Sequence, residues 1–234
     1  MCLPIIAHGD TVGLLHIKFD DTPEGGPSDQ QALDPRRFAI QCAEHIGLAI
    51  ANVRLRDELR DQSTKDVLTG LFNRRYFMEM LRGELGRAQR IDSEVAVISF
   101  DADKFKIFND NHGHDAGDAV LRELAEAMRA TFSTENVLCR FGGEEFCVLM
   151  PDTSVEVATV AAEKLRKAVE AVTIIYSGSK LPPVTISGGV AAFPADAKTP
   201  QDILAAADQA LYQAKANGRN RMVRYDDLPA AAAE

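Results

Sequence analysis

The sequence predicts an α/β fold, a layered sheet with helices packed on it, and three observations carry that prediction. Helix-period stretches alternate with short apolar runs along most of the chain. One run, VAVISF at 95–100, is apolar throughout, as a strand covered on both faces must be. RFGGEEF at 140–146 sets two glycines between strand-like segments, the pattern of a hairpin. Strands alternating with long helices belong in a sheet with helical layers.

The chain opens with two short strands, around 3–7 and 12–19, joined by a turn at His8-Gly9-Asp10. In the second, Leu15, Ile17 and Phe19 alternate with His16 and Lys18, the period of a half-buried strand. DDTPEGGPSDQQ at 20–31 is a loop of turn formers. Asp34-Pro35 reads as an N-cap followed by proline in the first turn. The helix it starts runs to about 62. Ala39, Cys42, Ile46, Ala49 and Val53 form a seam at spacings of 3 and 4, which fits a short coiled coil and an ordinary amphipathic helix alike. Further helices are predicted at 75–90, 116–131 and 154–171, and strands at 137–141, 146–150 and 184–193. Thr199-Pro200 caps a last helix that ends at Gly218. The boundaries follow: a partial module at 1–33, a linker helix at 34–62, a main domain at 63–227 and a disordered tail at 228–234.

Composition bounds the function. The 234 residues are 46% apolar and 26% charged, with a net charge of −9. No apolar run reaches the ~18 residues of a membrane span, and the opening lacks the basic flank of a signal peptide. The acidic balance argues against nucleic acid and acidic membrane as partners. Cys2, Cys42, Cys139 and Cys147 show no CxxC spacing and read as the reduced thiols of a cytoplasmic protein.

The chemistry concentrates at the end of the apolar strand. Asp101 and Asp103 are two apart, so in extended chain they project the same way. Glu144 and Glu145 sit side by side at the hairpin tip, where like charges crowd unless something positive intervenes. Hard oxygen donors without cysteine–histidine spacing suit magnesium, with manganese as the alternative, rather than zinc. Asp101 and Asp103 alone also fit an acidic loop on the solvent side. Lys215 and Arg219, four apart at a helix end and so on one face, can both reach a phosphate, although the helix dipole by itself favours cations there.

DVLTGLFNRRYF (66–77), FDADKFKIFNDNHGHDAGD (100–118), RFGGEEF (140–146), VTISGGVA (184–191) and ADQALYQAKANGRNR (207–221) resemble, in order and spacing, the successive motifs of the GGDEF diguanylate cyclases. GGEEF is a common active form of the signature. The resemblance implies a nucleotidyl-cyclase fold related to polymerase palm domains, with a central, mostly antiparallel sheet flanked by helices. It implies condensation of two GTP into cyclic di-3′,5′-GMP with release of two pyrophosphates, each subunit of a homodimer holding one GTP. Asp101, the Ala102 carbonyl, Glu144 and Glu145 then match metal positions, and Glu144 also the proton acceptor. Asn109 and Asp118 match guanine recognition, and His114 another substrate position. Lys215, Arg219 and main-chain amides around Phe105 and Lys106 match phosphate contacts. Asp103, Phe105, Phe108 and Phe141 read as structural side chains, Arg140 as a brace of the hairpin and His112 as a surface residue.

Many active relatives carry an inhibitory RxxD product site before the signature. Here that stretch is Ser133-Thr134-Glu135-Asn136, so product inhibition through it is predicted to be missing. Residues 1–62 resemble, more loosely, the closing strands and exit helix of a GAF sensor domain, the rest of which would lie upstream. Two rival functions share the scaffold: a silent module that binds GTP or cyclic di-GMP without turnover, and a cyclase of another nucleotide. The intact site residues argue against the first, and Asn109 with Asp118 against the second.

Overall fold

The computed structural model describes residues 1–7, 9–18 and 35–228, without the side chains of 35 and 56–63. His8, Phe19, the loop at 20–31, the Asp34 cap and the tail past 228 lie outside the described residues. The chain divides into two compact units, Met1–Ser63 and Thr64–Glu234.

The first unit holds an antiparallel hairpin, β1 (Cys2–Ala7) and β2 (Asp10–His16), and nearly all of helix α1 (Pro35–Thr64). The second strand stops three residues short of the predicted end, but the alternation is there: Leu15 and Ile17 are half-buried, His16 and Lys18 exposed. The buried stripe of α1 differs from the predicted seam. It is Ala39, Ala43, Gly47 and Ala51, every fourth residue. A Cβ on Gly47 would lie 2.3 Å from the Ile6 carbonyl oxygen, so a stripe of small residues lets β1 come close. Of the seam, Ala39 is fully buried, whereas Ile46 and Val53 are 38% and 59% exposed.

The second unit is built on a six-stranded sheet. Its strands are β3 (Phe72–Asn73), β4 (Val95–Ala102), β5 (Val137–Gly142), β6 (Glu145–Pro151), β9 (Ile186–Phe193) and β10 (Met222–Arg224). A small hairpin, β7 (Ile175–Tyr176) and β8 (Ser179–Lys180), stands apart. The helices are α2 (Arg74–Ile91), α3 (Phe105–His112), α4 (His114–Thr131), α5 (Val155–Ala171) and α6 (Pro200–Ala216). The strand order is β10-β9-β4-β6-β5-β3. The four inner strands pair antiparallel, and the edges β3 and β10 pair parallel to their neighbours. The predicted α/β class, with a mostly antiparallel sheet flanked by helices, is the observed one.

All eight residues of β4 are buried because both faces of the sheet are covered. Ala96, Ile98 and Phe100 join the core with α4 and α5; Val95 and Val97 join the core with α2 and α6. Cys139 and Cys147 are cross-strand partners, buried and free. Thr199 caps α6 in a reciprocal capping box with Asp202, as its sequence position predicts. Four elements were not predicted: α3, β3, β10 and the β7–β8 hairpin.

The seating of α6 on β9 places Lys215 beside β4, and a glycine makes it possible. A Cβ on Gly189 would lie 2.0 Å from the Ala207 carbonyl oxygen and 2.4 Å from the Leu211 nitrogen. Both are backbone atoms that cannot rotate away. Gly189→Ala is therefore expected to destabilise the domain by about 3 kcal/mol, the upper end of ordinary overpacking. That lowers the melting temperature by roughly 6–12 °C in a domain of this size. Thermal unfolding followed by circular dichroism checks this; wild-type melting would contradict the packing argument.

Candidate active site

β4 delivers Asp101 and Ala102 at its end, between two partner strands. Asp101 is in register with Glu145 on β6 and Ser187 on β9. The β5–β6 turn folds over this end, with Gly143 at φ +34° and the Ala102 amide donating to the Glu144 carbonyl at 3.4 Å. Asp101 is only 6% exposed. Lys215 Nζ, from the last turn of α6, stands 2.9 Å from Asp101 Oδ2.

The electrostatics are those of crowded carboxylates beside one cation. Burial pushes the Asp101 pKa up, and the Lys215 ammonium, which pulls it down, does not restore the ordinary value. Burial raises Glu144 as well, and the Asp101 charge adds to it, with Lys215 opposing and Glu145 contributing further. Glu145 itself is exposed. Among the described residues no three metal-ligating side chains are already gathered. The donor set still fits a hard divalent ion of magnesium type, which takes one or two carboxylates and completes its shell with phosphate and water. The Lys215 ammonium shows that this carboxylate faces positive charge.

Helix α3 begins at Lys104, whose backbone is left-handed (φ +58°) and whose side chain makes no cap. The first-turn amides of Phe105 and Lys106 have no partner within a helix and so suit an anion. The Phe105 ring is buried and Lys106 exposed. Further along α3, Asn109 lies over Gly117 of α4, next to Asp118; its Oδ1 is buried without a hydrogen-bond partner. Asp118 is part-exposed, and His114 is exposed at the start of α4.

Arg219 is placed differently from the sequence reading. It is not on the helix face of Lys215. Asn217 caps α6, Gly218 turns at φ +104°, and Arg219 follows at φ +66°. It lines a cleft of about 470 Å³ with Lys104, Phe108, His112 and Val184. This turn is tied down by Asp103. The Asp103 carboxylate accepts from Thr185 and Ser187 hydroxyls at 2.7 Å each and from the Asn220 amide at 3.0 Å. Asp103 is thus structural, as predicted.

Sequence reasoning assigned no role to Asp66, which proves to support the hairpin. Its carboxylate accepts from the Thr69 amide and hydroxyl and meets Arg140 at 3.2 Å through both oxygens. Burial pushes its pKa up, but the bonds from Thr69 and Arg140 outweigh that and hold it below the ordinary range. Arg140 in turn donates twice to the Gly143 carbonyl, at 2.9 and 2.8 Å. The turn that carries Glu144 is therefore anchored to a segment 74 residues away. Ser99, under Asp101 on β4, donates to Asp208 of α6 at 2.8 Å, a second tie between strand and helix. The signal was present in the DVLTGLFNRR stretch, where a lone aspartate precedes a threonine by three, a common local cap.

Residues 63–221 match the family model described as "Diguanylate cyclase, GGDEF domain". The response regulator PleD of Caulobacter vibrioides is 37% identical over 229 residues, covering 94% of this chain and 50% of PleD. The chain spans about half the length of the curated relatives it matches. Among solved structures, the coiled coil and GGDEF domain of DgcB from Caulobacter crescentus, in complex with c-di-GMP, superposes with a TM-score of 0.71. It is 28% identical, over 81% of this chain and 97% of that one. The active GGEEF domain of a diguanylate cyclase from Vibrio cholerae gives 0.61 at 36% identity, over 65% and 96%. The fold, the order of the motifs and these matches agree: the chain belongs to the GGDEF family of diguanylate cyclase domains.

Proposed function

We propose that this chain condenses two GTP into cyclic di-3′,5′-GMP and releases two pyrophosphates, with one GTP on each subunit of a homodimer. The observation that carries the reading is the buried Asp101 carboxylate, crowded by Glu144 and met by Lys215 at 2.9 Å. In each half-reaction the 3′-oxygen of one GTP bonds to the α-phosphorus of the other. The bond from that phosphorus to the β-phosphate bridge breaks, and pyrophosphate leaves. Glu144 accepts the 3′-hydroxyl proton as the general base. Asp101, the Ala102 carbonyl, Glu144 and Glu145 would hold magnesium or manganese, which supplies charge stabilisation at the phosphate oxygens. Lys215, Arg219 and the amides of Phe105 and Lys106 orient the phosphates. Asn109 and Asp118 hold guanine, with His114 at the rim.

The rest of the reading follows the same logic. Residues 1–33 are the remnant of a GAF-like sensor, and 34–62 a signalling helix that brings two catalytic domains together with the exposed Ile46 and Val53. The protein works in the cytoplasm without nucleic acid or membrane partners. Among the described residues no helix is long and apolar enough to cross a membrane. Product control through an RxxD site is missing. Asn136 Nδ2 donates to Ser133 Oγ at 2.8 Å. The nearby Arg129 is engaged by Glu126 and by the Thr69 carbonyl. The hollow beside them is walled by Leu71, Phe72, Phe132 and Leu138.

Incubation with GTP and magnesium, with products identified by mass spectrometry, tests the reaction. Cyclic di-GMP and pyrophosphate are expected; GTP recovered unchanged would favour a silent binding module. Glu144→Gln should cut turnover by roughly 10²–10⁴-fold, the worth of a general base. Its melting should stay near wild type, because the residue is part-exposed at a turn. Near-normal turnover in that variant would refute the assignment. Calorimetry of cyclic di-GMP against the Glu144→Gln protein, its active site filled with a GTP analogue, should show no micromolar site. Micromolar binding that disappears with Ser133→Ala or Asn136→Ala would overturn the reading of that hollow.

A further inference from the structure

Gly117 is the fourth residue of α4, in a helix that should prefer almost anything else. Glycine is among the poorest helix formers and alanine the best. Gly117 is not one of the glycines with positive φ, so its backbone conformation is open to any residue. Space is what requires glycine. A Cβ on Gly117 would lie 1.9 Å from Asn109 Oδ1, 3.0 Å from Asn109 Cγ and 3.1 Å from Phe105 Cζ. The Asn109 carboxamide occupies the notch that the missing side chain leaves. The backbone lines the two residues up: the Gly113 amide donates to the Asn109 carbonyl at 2.8 Å, and the Gly117 amide to the Gly113 carbonyl at 3.2 Å.

The carboxamide has little else to hold it. Its Oδ1 is buried and has no hydrogen-bond partner, an arrangement that costs free energy until a donor reaches it. Packing on Gly117 fixes where the group stands without satisfying it. The next residue in α4 is Asp118, whose side chain is part-exposed. A carboxylate only accepts, whereas a carboxamide both donates and accepts. Guanine offers two donors, N1–H and N2–H, with acceptors beside them. Adenine presents an acceptor at N1. A pair that tells these bases apart depends on where the carboxamide is held.

We propose that Gly117 is a positioning residue for base recognition, whose absent side chain seats the Asn109 carboxamide beside Asp118. The proposal rests on the reading of Asn109 and Asp118 as the guanine-binding pair. The atom that Gly117→Ala strikes is the tip of a flexible side chain, so relief comes from rotating the carboxamide rather than from moving a helix. The fold survives and recognition suffers.

The test is a double-mutant cycle read by calorimetry with guanosine 5′-(α,β-methylene)triphosphate and magnesium. Wild type, Gly117→Ala, Asn109→Ala and the double variant are compared, with the adenosine analogue as the second titrant. Each single variant should weaken guanine-nucleotide binding by about tenfold or more, as loss of a hydrogen bond to the base would. The double variant should match Asn109→Ala to within about threefold, because the two share one interaction. Preference for the guanine over the adenine analogue should fall in Gly117→Ala, while melting stays at or above wild type. Unchanged affinity in Gly117→Ala, or losses that multiply in the double variant, would overturn the proposal while leaving the guanine reading standing. Unchanged affinity in Asn109→Ala would instead remove the guanine reading, and the proposal with it. If Gly117→Ala does not fold, restored folding in the double variant, where the Cβ has room, supports the notch; no restoration overturns it.

Discussion

A carboxylate taken out of water needs a positive partner, and more so when other carboxylates share the space. Asp101 is in that position at the end of β4, with Glu144 and Glu145 on the adjoining hairpin and Lys215 as the cation in contact. Much of the second unit can be understood as what keeps this arrangement in place. β4 lies in the middle of the sheet with both faces covered, so its end has little freedom. α6 is pressed onto β9 through glycine, which brings Lys215 to the right height. The Ser99–Asp208 bond ties the same helix to the same strand.

The surrounding loops are held by side chains whose charge is fully used. Asp103 gathers Thr185, Ser187 and the Asn220 amide, joining the end of β4, the start of β9 and the turn after α6. Asp66 and Arg140 join the segment before β3 to the Gly143 carbonyl. Hydrogen bonds to charged groups are stronger than neutral ones, and these anchor otherwise irregular chain on either side of Asp101. Among the described residues Lys106 and Arg219 make no ion pair, and Lys215 is paired only with Asp101; the three border the space proposed for phosphate. The division of labour is physical: one set of charges is satisfied within the protein, and another faces outward with opposite sign close by.

The large elements were legible because their signals are long or chemically specific. β4 announces itself by an uninterrupted apolar run, and α6 by a threonine–proline start. α3 was not legible. Its eight residues, FKIFNDNH, are poor in strong helix formers, and it starts at a left-handed lysine without a cap. β3 and β10 have two and three residues, too few for a period to show. Arg219 was put on the wrong face because spacing alone assumes that the helix continues past Asn217. The buried stripe of α1 was missed since alanine and glycine carry little hydrophobic signal; only the approach of Ile6 reveals why small residues recur there. The Asp66–Arg140 pair joins positions too far apart in sequence for local patterns to link.

The central claim is that the Asp101 cluster is built to meet a metal ion and its phosphates rather than to stabilise the fold. Thermal unfolding of wild type and Asp101→Asn, with and without magnesium and the α,β-methylene GTP analogue, tests it most directly. Replacing the carboxylate by a neutral amide removes the buried charge whose desolvation raises the Asp101 pKa and whose field adds to the burial-driven rise at Glu144. The unliganded variant should therefore melt at or above the wild-type temperature at neutral pH. Wild type should gain stability from nucleotide and magnesium together beyond nucleotide alone, and Asp101→Asn should lose that extra gain. A variant that melts well below wild type yet keeps the full magnesium-dependent gain would contradict the account.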